Sequence, residues 1–168
     1  MVLVLSVCLS ACQGVNVAEQ QATATAFANS SQAKASILAE KAAMALCEID
    51  FTSGKEFFTS TICDLSTSIG CTLIGLEIDQ NWEALLANYG EVKLGCKVDE
   101  SRLLERGRQF GNVVEYWLVK TRGVSGWPQN GLTRSYWLQL SEDGEDWKLN
   151  RMLEKGEITY YSVLFGIK

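Results

Sequence analysis

The chain has no histidine and only one proline in its 168 residues. Histidine is the commonest general base and the commonest metal ligand in proteins, so its absence excludes every nucleophilic site built on a Ser–His or Cys–His pair. Catalysis by Asp, Glu, Tyr or Lys is still feasible. The missing histidine therefore lowers the expectation of an enzyme and does not exclude one. No motif points to a catalytic residue, a metal ligand or a cofactor.

Clustered positive charge is also missing. The formal net charge is −5 and the sequence pI is about 4.8. The longest basic patch contains Arg102, Arg106 and Arg108, but Glu100 and Glu105 interrupt it, as is typical of a solvated face. Because affinity for phosphate backbones depends on clustered Lys and Arg, the sequence predicts no nucleic-acid partner.

A long apolar segment is the third absence. Residues 1–11 read MVLVLSVCLSA, and this uncharged run is far shorter than the roughly 20 residues that a membrane-spanning helix needs. It matches the apolar part of a secretory signal. Leu9-Ser10-Ala11-Cys12 resembles the lipobox of bacterial lipoproteins, in which small residues precede a cysteine whose thiol receives a diacylglycerol. We therefore predict that Cys12 is the lipid attachment site and holds the protein at a membrane.

The charge of this N-terminal segment departs from the usual pattern. A signal normally opens with Lys or Arg, whereas the first basic residue of this chain is Lys34, which favours an upstream start or a truncated sequence. The alternative is an ordinary buried apolar N-terminus with an incidental cysteine. Gln13 follows Cys12 in place of Asp, which does not favour retention at the inner membrane of a two-membrane bacterium. We predict a signal segment at 1–11, a lipid-anchored tether at 12–33 and one domain at 34–168.

Four cysteines remain when Cys8 is assigned to the signal and Cys12 to the lipid. An even number in an exported protein predicts disulfides, and four cysteines allow three pairings. Cys63 with Cys71 would close a short loop after a helix, and Cys47 with Cys96 would tie the first helix to the first strand. The alternative is four buried free thiols, which would fit a cytosolic protein.

Periodicity predicts helices first and strands afterwards. Apolar residues recur at helical spacing over 35–49, a second helix follows the capping residue Ser53, and a third begins at Asp79 or Asn81 and ends at Gly90. Strands are predicted at 91–98, 112–121, 132–140, 147–153 and 157–164, with 101–109 as a strand or a loop and 122–131 as a long mobile hairpin loop. The fold class is α+β, with the N-terminal helices packed on one face of a curved antiparallel sheet.

This order of elements resembles the nuclear transport factor two-like (cystatin-like cone) superfamily over residues 33–164. The segments that carry the resemblance are LTRSYWL at 132–138 and EDGEDWKL at 142–149. It implies a cone-shaped pocket between the bent sheet and the helices. In some members this pocket binds or isomerises apolar small molecules, and many other members only scaffold. No motif transfers a catalytic residue of that superfamily to this chain.

The long strands and one loop supply the candidate pocket or contact residues. Glu115, Tyr116, Tyr136 and Arg134 are the nearest candidates on the strands, and a carboxylate in an apolar pocket would gain a raised pKa and could act as a base. Each alternates with apolar neighbours, so the competing interpretation is the solvent face of the sheet. Trp127 lies in the loop segment SGWP, where an aromatic residue tends to contact a partner protein or a membrane. The other four tryptophans are predicted to fill the core.

Two functions are compatible with these features. The favoured one is a non-catalytic binding or scaffold module, a lipoprotein of the cell envelope at the periplasm or cell surface, with a protein partner or a second copy of itself. The alternative is a small-molecule-binding protein or an isomerase- or hydrolase-type enzyme that uses the cone pocket.

Overall fold

The computed structural model describes residues 30–129 and 131–167, and within them it has an α+β fold. The predicted signal at 1–11 and most of the predicted tether lie outside the described residues. The elements in chain order are α1 (Ser31–Cys47), a 3-10 turn (Phe51–Ser53), α2 (Gly54–Asp64), α3 (Ser68–Tyr89), β1 (Gly95–Gln109), β2 (Asn112–Ser125), β3 (Thr133–Asp143), β4 (Asp146–Met152) and α4 (Lys155–Phe165). The four strands form one antiparallel sheet in the order β1-β2-β3-β4. The predicted fold class is confirmed.

Helices α1, α2 and α3 cover one face of the sheet, which we call the inner face. α1 approaches the strands closely because its buried stripe consists mainly of alanine, and Ala35, Ala39, Ala42 and Ala43 are fully buried. Ile74 and Trp82 of α3 join the same hydrophobic core. These helices and the sheet together enclose the space in which the candidate site lies.

Two disulfides fasten the inner-face helices. Cys47 at the end of α1 is joined to Cys96 of β1, and Cys63 of α2 is joined to Cys71 of α3. These are the pairings that the sequence analysis favoured. The first link ties α1 to the sheet across the two intervening helices, and the second ties the consecutive helices α2 and α3 together.

The predicted last strand at 157–164 is wrong, because this segment forms α4 on the other face of the sheet, which we call the outer face. Glu154 and Glu157 form a reciprocal capping box at its start, and Gly166 adopts a left-handed conformation at its end. Tyr161 packs with Leu104 and Leu118 on this face. The β-branched and aromatic residues of ITYYSV favoured a strand, whereas the caps and the apolar face of the sheet select a helix.

Three further boundaries differ from the prediction. α3 begins at Ser68, with the Thr67 hydroxyl accepting a hydrogen bond from Gly70 N, and not at Asp79 or Asn81. α1 begins at Ser31, inside the predicted tether. β1 is one strand from Gly95 to Gln109 with three register shifts, and β2 extends to Ser125, so most of the predicted loop at 122–131 is strand or packed turn. Bulges and charges on the edge strand β1 disfavour pairing with another chain.

Candidate ligand pocket on the inner face of the sheet

A cavity of about 180 Å³ lies between the inner-face helices and strand β3. Its walls are largely apolar. One end carries polar groups from β3, and the exposed side chains Glu77 and Asn81 of α3 stand at its rim. The apolar lining comprises Leu46, Ile49, Phe58, Ile74, Ile78, Leu85 and Met152. The composition is that of a ligand pocket, in which an apolar body is held by shape and a few polar groups fix its orientation.

Arg134 places a cation at the polar end of the pocket. Its Cζ lies 4.3 Å from the centre of the Trp127 ring and 6.0 Å from that of Tyr89. Its Nη2 donates a 2.7 Å hydrogen bond to the Tyr89 hydroxyl. Among residues 30–129 and 131–167, no carboxylate lies within 4.0 Å of this guanidinium. Aromatic faces thus stabilise the charge without neutralising it.

Tyr136 lies two residues farther along β3 and on the same face as Arg134. Its hydroxyl is buried, and no group in the part of the chain that the structure describes accepts a hydrogen bond from it. Burial raises the pKa of this phenol, although the neighbouring Arg134 charge acts in the opposite direction. The hydroxyl is therefore protonated at neutral pH and offers a free donor beside the guanidinium.

The structure corrects the prediction that Trp127 is a contact residue on an exposed loop. The side chain is buried, with 6% of its surface exposed, and its Nε1 donates a 3.1 Å hydrogen bond to Gly95 O. Its ring meets Tyr89 edge to face at 5.4 Å. A Cβ at Gly123 would lie 2.5 Å from the Trp127 ring, so the glycine leaves room for the indole to fold inwards. The buried Trp127 ring therefore packs against the Arg134 guanidinium.

The interpretation of Glu115 as a residue of the solvent face is also wrong, because its side chain is fully buried. Its Oε2 accepts a 2.9 Å hydrogen bond from Trp117 Nε1, and its Oε1 lies 3.5 Å from Arg106 Nε, where the charges attract but no hydrogen bond forms. Burial raises the pKa of this carboxyl, while the Trp117 bond and Arg106 oppose the shift. Glu115 is not among the residues that line the pocket.

The polar cluster on the outer face was not predicted from the sequence. Its centre is the fully buried Gln139. The side-chain nitrogen of Gln139 donates to Tyr116 Oη at 2.9 Å and to Gln109 Oε1 at 3.1 Å, and its oxygen accepts from Asn150 Nδ2 at 2.8 Å and from Arg151 Nε at 3.1 Å. Every hydrogen-bonding capacity of this amide is used, so the amide has no group left for a ligand.

The same network fastens α4 to the sheet. Arg151 makes a two-pronged ion pair with Glu157 of α4 at 2.6 and 2.7 Å. Farther along the helix, the Tyr161 hydroxyl donates to Glu105 Oε2 at 2.8 Å, and burial together with that carboxylate raises the pKa of Tyr161. A sequence signal existed only for the capping residues, because the remaining contacts join strands that are distant in the chain.

The pocket has the groups for binding and lacks a catalytic pair. Arg134 and Tyr136 of β3 belong to its lining, and so do the solvent-exposed side chains of Glu77 and Asn81. Within residues 30–129 and 131–167 there is no group of three or more Cys, Asp or Glu side chains arranged to hold a metal ion. Of the five candidate residues, the structure brings Arg134, Tyr136 and Trp127 together and places Glu115 and Tyr116 elsewhere.

Comparison with known proteins shows a shared fold and no family. No family model matches the chain, and no curated protein matches it. A solved structure described as a periplasmic fragment of TraM is similar, with a TM-score of 0.52 and 13% sequence identity over 73% of this chain and 96% of that chain. At this identity the similarity shows the fold alone. None of the described helices is long and apolar enough to cross a membrane.

Proposed function

We propose that this protein is a lipid-anchored, extracytoplasmic binding module that holds a ligand or partner without transforming it. The anchor is Cys12, and the α+β domain, which we liken to the nuclear transport factor two-like cone, carries the binding site. The observation that carries the proposed location is the pair of disulfides, because such links form and persist in oxidising compartments. The similar TraM fragment is described as periplasmic, which agrees with this location.

The binding role is supported by the chemistry of the pocket. The charge of Arg134 has aromatic neighbours and no anionic partner among the described residues, and the pocket beside it is lined by apolar side chains. The enzyme alternative needs a base inside the pocket. The carboxyl with a raised pKa, Glu115, lies outside the lining. Binding without turnover is therefore the function that this geometry supports best.

Mass spectrometry of the protein purified from native membranes tests the proposed location. We expect an N-terminal peptide that begins at Cys12 and carries a diacylglycerol. We also expect Cys47, Cys63, Cys71 and Cys96 to resist alkylation until a reductant is added. A Cys12→Ser variant should leave the membrane fraction, while a Cys8→Ser variant should remain in it. Native protein with an unmodified Cys12 thiol and reactive cysteines in the domain would refute the proposal.

A further inference from the structure

Arg134 differs from Arg122 and Arg151, two other arginines of the domain, in what it contacts. Arg122 pairs with Asp99 at 2.9 Å and Arg151 pairs with Glu157 at 2.6 Å. Arg134 donates instead to the neutral hydroxyl of Tyr89, and no described carboxylate approaches it. A partly buried guanidinium keeps several N–H donors in a planar fork that matches a carboxylate. The polar end of the pocket is therefore complementary to one carboxylate.

Tyr136 adds a second unmet hydrogen-bonding capacity at the same place. A buried hydroxyl without a partner is unfavourable by the desolvation of that group, and such groups are rare in folded proteins. Within residues 30–129 and 131–167, no group accepts a hydrogen bond from the Tyr136 hydroxyl, which lies beside Arg134. A ligand oxygen that enters the pocket could accept hydrogen bonds from both the Arg134 guanidinium and the Tyr136 hydroxyl. Glu77 and Asn81 also line the pocket, but their side chains are exposed to water and bond to neither group.

The pocket is open to solvent on one side, so its walls select the chemistry of the ligand and its volume indicates the size of the body that they cover. Its volume of about 180 Å³ is slightly larger than the apolar cavity of about 150 Å³ that is known to hold benzene. The space is bounded by Ile49, Phe58 and Ile78. A body of the size of a phenyl ring or a short branched alkyl group fills it, whereas a sugar or a nucleotide would leave its hydroxyls unpaired against these walls.

We propose that the pocket binds a small apolar monocarboxylate, with its aryl or alkyl body between α1 and α3 and its carboxylate on Arg134 and Tyr136. This inference rests on the proposed binding role and names the ligand class for it. A single carboxylate matches the single cation. A phosphate dianion would face one guanidinium and the acidic side chain of Glu77 at the rim, in a protein whose formal charge is −5.

Isothermal titration with 3-phenylpropionate tests the proposal on the oxidised full-length chain carrying Cys12→Ser, so that no acyl chain competes. We expect saturable binding with one site and a shifted NMR signal of the Trp127 indole N–H, because that ring stacks on Arg134. The neutral analogue 3-phenylpropionamide should bind about tenfold more weakly, because it lacks the charge. Acetate, which lacks the apolar body, should not bind at the same concentrations.

Three variants and a matched control locate the ligand. Arg134→Met should weaken binding about tenfold or more, Arg134→Lys should weaken it less because it keeps the charge without the fork, and Tyr136→Phe should weaken it by about three- to tenfold. The control is Arg108→Met, which removes an exposed arginine of β1 and should change the affinity less than about twofold. Near-UV circular dichroism checks each fold, and Tyr136→Phe carries the test if Arg134→Met does not fold.

Two results would overturn the inference. One is that 3-phenylpropionate does not bind, or that it binds with an affinity that the changes at Arg134 and Tyr136 leave unaltered. The other is Arg134-dependent binding of a peptide that ends in phenylalanine, with no binding of the small acid, which would make the site a receptor for a protein C-terminus. Neither result affects the Cys12 and thiol measurements, and an unlipidated protein that binds 3-phenylpropionate would refute the anchor and leave the pocket proposal standing.

Discussion

The two faces of the sheet hold their helices by different means. On the inner face, α1 packs through alanine and is joined to β1 by the Cys47–Cys96 disulfide. On the outer face, α4 is docked by a polar network whose centre, Gln139, has every hydrogen-bonding group satisfied. A covalent link tolerates an imperfectly packed face, whereas a polar network stabilises only when it is complete. The hydroxyl of Tyr136, which no described group accepts a hydrogen bond from, lies on the inner face, where the pocket is.

The largest expected effect comes from breaking the covalent link. Because the Cys47–Cys96 link has a sequence separation of 49, its loss in the Cys47→Ala/Cys96→Ala variant should lower the free energy of unfolding by about 4 kcal/mol. The Cys63→Ala/Cys71→Ala variant, with a separation of 8, should lower it by about 2.5 kcal/mol on the same loop-entropy basis. Urea denaturation of the two variants measures both values. An equal or smaller loss for the first pair would mean that the disulfide is not what holds α1 on the inner face.

The next effect tests whether the outer network acts as a unit. Gln139→Leu leaves the polar groups of Tyr116, Asn150 and Arg151 without their partner and should lower the free energy of unfolding by about 2 to 3 kcal/mol. Gln109→Leu removes only one exposed member and should lower it by less than about 1 kcal/mol. Denaturant titrations of both proteins provide the comparison. Similar losses for the two variants would show that Gln139 is not the centre of the network.

The buried carboxyl of Glu115 gives the inner face a pH dependence. Its folded-state pKa is raised above that of the unfolded chain. The stability linked to this group is therefore fully present below the unfolded pKa and is lost as the pH rises through the folded pKa. Glu115→Gln removes the charge and keeps an acceptor for Trp117 Nε1, so it should stabilise the protein at pH 7 by on the order of 1 kcal/mol and have little effect at pH 4.

Melting temperatures of wild type and Glu115→Gln between pH 4 and pH 8 measure that difference. The control is Glu83→Gln on α3, an exposed carboxyl that is not among the charges acting on Glu115, and it should change the melting temperature little. A Glu115→Gln protein that is less stable than wild type at pH 7 would mean that the attraction of Arg106 at 3.5 Å outweighs the burial of the charge.

The sequence predicted most of the fold, because the inner-face elements follow simple periodicity. The strands around residues 112–121 and 132–140 alternate and are rich in β-branched and aromatic residues, and the structure has strands there. The C-terminal segment misled the prediction because its residues favour a strand locally, while the capping pair Glu154 and Glu157 and the apolar outer face decide for a helix. Local strand propensity was thus outweighed by a local capping pair together with a tertiary contact.

The candidate site was predicted only in part, for the same reason. Arg134 and Tyr136 were chosen from their strand, yet alternation indicated solvent because it cannot show that helices cover both faces. Burial of both faces also hid Glu115 inside the domain. The contact of Arg134 with Tyr89 joins residues 45 apart in the chain, and no spacing rule indicates it.

The smallest expected effects compare the two faces directly, because the same change from Tyr to Phe can be made on each face. Tyr136→Phe removes a buried hydroxyl that has no described partner, so it should leave the free energy of unfolding unchanged or raise it by about 0.5 to 1 kcal/mol. Tyr116→Phe removes a hydroxyl that accepts a hydrogen bond from Gln139 and should lower that free energy by about 1 kcal/mol. Parallel urea titrations at pH 7 without ligand measure the two values. If Tyr136→Phe does not lower the free energy of unfolding and Tyr116→Phe does, the Tyr136 hydroxyl is a donor that does not stabilise the fold and that a ligand can use. If both variants lose stability, Tyr136 has a structural partner and the pocket is part of the packed core.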